Sequence, residues 1–225
     1  TPSSSVISLG PLHLHLYALC IAIGALAALI SLHLRFAPWR QSWNELIDLA
    51  LYVIPAGIIG ARLYHVITSP DRYFGRGGHP WDALKIWQGG LGIWGAIALG
   101  GLTAYLLFIK RFPQLSFSEF ADAIAPGLLV AQAVGRWGNW FNGELFGRPS
   151  HLPWALEIPP QLRPAGLSTI ATYQPTFLYE SLWCFLGALF LIMWDRRLRS
   201  QNGLIFWLYV AWYKSEEHTS ELQSH

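Results

Sequence analysis

Residues 89–109 read GGLGIWGAIALGGLTAYLLFI, twenty-one residues without a charge. At 1.5 Å per residue a helix of that length is about 30 Å long, the thickness of a bilayer's hydrocarbon core. Outward from it the pattern repeats. Leu16–Leu32 is seventeen residues with no charge. Leu46–Ile67 carries Asp48 near one end and Arg62 near the other, Phe120–Gly135 is a further run, and Thr176–Trp194 contains Glu180. A last run, Gly203–Tyr213, is only eleven residues long. The chain is 53% hydrophobic and 12% charged, with twelve tryptophans, a residue that favours the membrane interface. These features predict an all-α polytopic membrane protein with about six transmembrane helices. Gly92, Ala96 and Gly100 in the first-quoted run, and Ala56 and Gly60 in the run before it, are spaced by four, as close helix packing requires.

The Phe120 run leads into Gly135–Gly147, GRWGNWFNGELFG. A cation at the rim of hydrocarbon needs protein, water or an anion beside it. The planar fork of Arg136 suits a pair of phosphate oxygens. Asn139 and Asn142 add neutral donors, while Gly135, Gly138, Gly143 and Gly147 let backbone approach closely. The stretch reads as a site for an anionic lipid headgroup. The alternative is an internal ion pair, for instance Arg136 with Glu144, that pins two helices.

Loop charge orients the chain. Arg35 and Arg40 follow the first span, Lys110 and Arg111 the third, and Arg196, Arg197 and Arg199 the fifth, which places these loops inside. The second loop also carries cations (Arg72, Arg76, Lys85), so the bias is partial. With the N-terminus outside, Tyr17, Arg62, Arg136, Asn139, Tyr179, Glu180 and Tyr213 all fall near the outer leaflet's headgroups. Residues 142–175, polar and rich in proline, read as a small extracytoplasmic lobe, with short strands one way of building it. The whole of 11–213 reads as one transmembrane domain.

Other signals are bland. A net charge of +2 is too small to suggest a nucleic-acid partner, and no Lys/Arg run supports one. Cys20 and Cys184 sit in apolar runs as small hydrophobes, with no metal-ligand spacing. His13 and His15, two apart, would point to different helix faces. Thr1–Gly10 has no basic segment of the signal-peptide kind. The last residues, Ser215–His225 (SEEHTSELQSH), turn abruptly polar and resemble translated adapter sequence. They are expected to be non-native, with the genuine chain cut near Tyr213 or Lys214.

Arg136, Gly138, Asn139, Asn142, Glu144 and Gly147, with Trp140 in the aromatic position, resemble the signature of prolipoprotein diacylglyceryl transferases. Tyr17, GARLYHV around Arg62, GGLGIWG at 89–95, DAIAP at Asp122 and YQPTFLYE at 173–180 agree in order, so the likeness runs from Pro11 to Tyr213. It implies a bacterial inner-membrane enzyme that moves the diacylglyceryl group of phosphatidylglycerol onto the lipobox cysteine of a prolipoprotein. A thioether forms, glycerol 1-phosphate leaves, and no metal or organic cofactor takes part. The expected catalytic residues are Arg136, Asn139, Glu144 (orienting an arginine) and Tyr17. Arg136, Arg62, Asn142, Gly147 and Glu180 are the expected phosphatidylglycerol ligands. Partners are that lipid, the prolipoprotein signal peptide and the surrounding lipids; the protein is expected to be a monomer with its site towards the outer leaflet.

Two positions depart from the family. Trp94 stands where many members have a histidine proposed as the thiol's base; His65 reads either as its replacement or as a packed helix histidine. A second arginine and a seventh span are expected after Tyr213, where the sequence has Glu216, Glu217 and His218. Two other readings use the same polar residues. One is a membrane transporter or lipid-binding membrane protein; the other is a structural subunit whose arginines serve only in ion pairs.

Overall fold

The computed structural model describes residues 2, 5–9, 12–36, 43–86, 89–164, 166–167, 169–198 and 203–224. Arg40, Arg199, Pro11 and His225 lie outside the described residues. The chain divides into two compact units, one of 1–37 with 118–225 and the other of 38–117. Five described helices are long and apolar enough to cross a membrane: Leu16–Arg35, Asn44–Thr68, Ile93–Arg111, Phe117–Asn142 and Thr176–Arg197. The protein is thus a helical, multi-pass membrane protein.

The first unit opens with a hairpin of β1 (Val6–Leu9) and β2 (Leu12–His15), antiparallel, with Val6 opposite His15. The alternating LHLH of β2 has the strand period of two. His13 and His15 therefore sit on a strand, and the expectation drawn from helical spacing does not hold. Helix α1 (Leu16–Arg35) follows directly. Its buried residues Cys20, Gly24, Ala28 and Leu32 recur every four, giving one narrow face. That face meets α5 (Phe117–Asn142), backbone against backbone. A Cβ on Gly24 would lie 2.8 Å from the Ala131 carbonyl oxygen, and one on Gly127 3.0 Å from that of Ala28. Arg35 ties the far end of α1 to Asp195 of α6 (Thr176–Leu198) at 2.6 Å.

The core of this unit joins Ala125, Leu129 and Ala133 of α5 to Cys184, Ala188 and Leu191 of α6 and Ile205 of α7 (Leu204–Ser224). Both cysteines are buried, as their apolar surroundings suggest. The short sixth run becomes the first half of α7, which continues as helix through Ser215 to Ser224.

Helix α7 begins after Gly203, a residue with no side chain to cap its first amides. Asp122 of α5, six per cent exposed, supplies the cap: its Oδ2 accepts from Gly203 N at 3.0 Å and its Oδ1 from Phe206 N at 2.9 Å. Both oxygens are used, and an amide offers only one acceptor. Asp122→Asn is therefore expected to destabilise the protein by about 1–2 kcal/mol, seen as a lower thermal midpoint in detergent. An unchanged midpoint would remove Asp122 from this role.

In the second unit α2 (Asn44–Thr68) and α4 (Ile93–Arg111) pack at glycine, Gly60 lying directly on Gly95 with no room for a side chain on either. Gly57 faces Ala96 and Gly100. The contact line thus includes Gly60 of the expected Ala56–Gly60 face, together with Gly57. Between the helices lie α3 (Asp71–Phe74) and a 3-10 turn, Pro80–Leu84. Helix α4 starts four residues later than its apolar run, because Gly89 and Gly90 take left-handed backbone (φ 80° and 76°) in the connection.

Candidate functional site

The conspicuous motif occupies the last two turns of α5 and the turn beyond it. The helix ends at Asn142 because Gly143 adopts φ 64°, a left-handed conformation that glycine tolerates best. Gly143 N then donates to the Trp140 carbonyl at 3.2 Å and Glu144 N to that of Asn139 at 3.1 Å. These are the paired bonds of a Schellman ending. The turn swings Glu144 back, so that Asn142 Nδ2 donates to its Oε1 at 3.0 Å. Gly147 N donates to the Gln174 carbonyl at 2.9 Å, and a Cβ on Gly147 would lie 2.9 Å from Thr176 Cγ2. Thr176 Oγ1 donates to the Leu145 carbonyl. The motif's end is thereby stitched to the start of α6.

The stretch before α6 contains β3 (Leu156–Glu157) and β4 (Thr172–Tyr173), which pair antiparallel around the fully buried Ile158 and Tyr173. Trp154 Nε1 donates to Tyr179 Oη at 2.8 Å, joining this small sheet region to the first turn of α6.

Arg136 finds its carboxylate across the helix pair. Its Nε lies 3.2 Å from Glu180 Oε2, the two side chains 26% and 13% exposed. The partner is Glu180 of α6, since Glu144 is turned onto Asn142. Arg136 is neither dissolved in bulk solvent nor closed off, which is the state an anion-binding guanidinium at a membrane rim needs. One turn further on, Asn139 is 7% exposed, so its amide lies largely inside the protein beside Arg136. Tyr17, 38% exposed at the start of α1, lays its ring on Gly138: a Cβ there would sit 2.5 Å from Tyr17 Cδ2. Tyr17, Arg136, Asn139 and Glu180 thus come together within the first unit, with Asn142, Glu144 and Gly147 in the adjoining turn.

Residues without a sequence signal of their own complete the surroundings. Trp137 Nε1 donates to Ser181 Oγ at 3.1 Å, and Ser181 Oγ to the Ala133 carbonyl at 2.9 Å. Trp137 and Trp140 both pack on Phe177. One turn before Arg136, Gln132 Nε2 donates to Tyr209 Oη of α7 at 3.1 Å. A hydroxyl or amide in an otherwise apolar contact is visible in sequence, but which helix it reaches is not.

Arg62, expected as a headgroup ligand, lies in the second unit among backbone carbonyls. It is 7% exposed, and each of its five N–H donors has a backbone carbonyl. Nε donates to Ala83 at 2.8 Å, Nη1 to Gly89 at 2.5 Å and Gly90 at 2.9 Å, and Nη2 to Asp82 and to Lys85 at 3.3 Å. The guanidinium also faces the Tyr73 ring, 5.2 Å from its centroid. Arg62 is therefore a clamp on the α2–α4 connection. Lys85 reaches back to Asp82 at 2.6 Å, and this ammonium holds the Asp82 carboxyl below the usual carboxylate range. His65 packs edge-on against Tyr73, with centroids 5.9 Å apart, as a packed helix histidine does. Trp94 is the second residue of α4 and 61% exposed.

The fold and this cluster define a class first: a multi-pass membrane protein with an arginine, a buried amide and a tyrosine gathered at one end of its helices. The family model described as prolipoprotein diacylglyceryl transferase matches residues 4–221. The chain is 51% identical over 214 residues to phosphatidylglycerol–prolipoprotein diacylglyceryl transferase 2 of Streptomyces coelicolor, covering 95% of this chain and 67% of that protein. It is 50% identical to the corresponding enzyme of Cutibacterium acnes, with 95% and 71% covered, and 50% identical to that of Frankia alni, with 95% and 55% covered. The chain thus spans a little over half to about seven tenths of these relatives' lengths. It belongs to the prolipoprotein diacylglyceryl transferase family, transferases of lipoprotein biosynthesis.

Proposed function

We propose that this protein transfers the diacylglyceryl group of phosphatidylglycerol to the lipobox cysteine thiol of a prolipoprotein, at the outer leaflet of a bacterial plasma membrane. Family membership supports the reaction. The observation that carries the site is the placement of Arg136, paired with Glu180, one helical turn from the buried Asn139.

The chemistry asks for such a pair. The thiol sulfur attacks the glyceryl carbon, the carbon–oxygen bond to phosphate breaks, and the electron pair stays on the departing oxygen. The thiol proton ends on the released glycerol 1-phosphate or on water. Negative charge grows on the phosphate as it leaves, and fixed donors at that point in a poorly hydrated site stabilise the transition state. Arg136 supplies the charged fork and Asn139 a neutral donor. Tyr17, fixed over Gly138, stands beside them to donate to the headgroup, and Asn142 and Gly147 shape the turn around it. Glu144 orients the Asn142 amide. The nucleophile belongs to the acceptor, so Cys20 and Cys184 have no part.

Glu180→Gln keeps the side chain's shape but removes the charge that fixes Arg136 Nε. Removing one charge of a partly buried ion pair costs on the order of 1 kcal/mol or more, so kcat is expected to fall roughly tenfold with the helices intact. An unaltered kcat would reduce Glu180 to a pin between α5 and α6. The reading itself is tested by incubating the protein in phosphatidylglycerol vesicles with a lipobox peptide and weighing the peptide. A diacylglyceryl thioether on the cysteine is expected. Lipid movement across vesicles without thioether would instead make the protein a transporter.

A further inference from the structure

The connection between α2 and α4 is built inside out. Its carbonyls at 82, 83, 85, 89 and 90 turn inward onto the buried Arg62 guanidinium. Phe74, Trp81, Leu84 and Ile86 meanwhile stand 63%, 77%, 67% and 42% exposed. None of the four belongs to a spanning helix, since α2 ends at Thr68 and α4 starts at Ile93. A loop surrounded by water has the opposite arrangement, because backbone is readily hydrated and large apolar side chains are not. Arg72 and Arg76 are exposed beside them. With Lys85, three cations face two carboxylates, Asp71 and Asp82, over 69–86. A tryptophan and aliphatic side chains flanked by surplus cations is the composition that settles at the surface of an anionic bilayer.

We propose that residues 69–86 form an interfacial platform that docks on a leaflet of anionic phospholipid. Its apolar side chains sit among the upper acyl segments and its arginines lie at the phosphates. Arg62 is the internal clamp that keeps the backbone turned inward, so the outward face stays apolar. A leaflet suits this surface better than a protein partner does, because membrane-spanning helices enter and leave the segment at both ends. The proposal goes beyond the transfer reaction and does not depend on it.

The test uses the whole chain with Leu84→Cys in a Cys20→Ala, Cys184→Ala background, labelled with an environment-sensitive dye. The protein is reconstituted in vesicles of equal parts phosphatidylglycerol and phosphatidylcholine. Blue-shifted emission, quenching by lipids spin-labelled high on the acyl chain, and loss of quenching by aqueous iodide are expected. Adding Arg62→Gln should restore iodide quenching as the clamp opens. Iodide quenching without spin-label quenching in the Arg62 protein would overturn the proposal, and labelling at Trp81→Cys repeats the measurement independently. Equal protection in pure phosphatidylcholine would overturn its anionic part. Transfer is assayed on the same vesicles: protected dye with no thioether would count against the enzyme reading and leave the platform standing, and the reverse result would do the opposite.

Discussion

Arg136→Lys is expected to lower diacylglyceryl transfer by about two to three orders of magnitude, the usual effect of losing one fixed donor to a developing oxyanion. The substitution keeps the charge, so bulk electrostatics do not predict so large a loss. Geometry does. Arginine holds Glu180 through Nε at 3.2 Å while its planar head remains a rigid fork, and the pair is only a quarter exposed or less. Lysine has a single nitrogen on a flexible stem. If that nitrogen stays on Glu180 it leaves the phosphate, and if it turns to the phosphate it leaves a carboxylate that is 13% exposed without its partner. The loss should fall on kcat, since the interaction strengthens as the phosphate takes up charge. The measurement is turnover on phosphatidylglycerol with a lipobox peptide, alongside thermal stability in detergent. A stable Arg136→Lys protein within about threefold of the unaltered kcat would be incompatible with a donor worth 10²–10³.

Arg62→Met is expected to have the largest effect on stability. Methionine fills much of the stem's volume but leaves carbonyls at 82, 83, 85, 89 and 90 without their donors in a site 7% exposed. An unsatisfied buried acceptor costs about 1–3 kcal/mol. Some of these carbonyls will rotate to water, so a net loss of about 3 kcal/mol or more is the expectation. Arg62→Lys should recover only part of it, because one ammonium cannot serve five acceptors. Full recovery with lysine would mean that charge matters here and the fork does not. The readout is unfolding in mild detergent, together with proteolysis of the connection.

Much of the fold was legible because a membrane leaves few options. Charge-free runs of sufficient length have to be helices, and Leu16, Thr176 and the second span begin where the hydropathy changes. The small-residue spacing of α2 and α4 is also visible in the sequence, and Gly60 lying on Gly95 realises it. The β1–β2 hairpin lay hidden in a few residues ahead of the first span.

The site was legible in composition and less so in connectivity. The glycines, amides and arginine of 135–147 announced a polar end to α5. Sequence proximity offers Glu144 as an alternative partner of Arg136, yet the left-handed Gly143 turns that carboxylate onto Asn142, and Glu180 serves from another helix. Asp122 is a similar case, its partners lying more than eighty residues away in the first turn of α7. The partners of Arg62 are hidden for a simpler reason: backbone carbonyls are the same at every residue, so an arginine that binds carbonyls leaves no trace of its partners in the sequence.

The carbonyl shell around Arg62 also constrains how the chain is made. A bare guanidinium near the end of an emerging apolar segment resists entry into lipid, and its ligands come from residues synthesised afterwards. The second span is therefore expected to enter more readily once the following turn and the start of α4 have emerged, the two segments passing into the bilayer as one charged but already solvated hairpin.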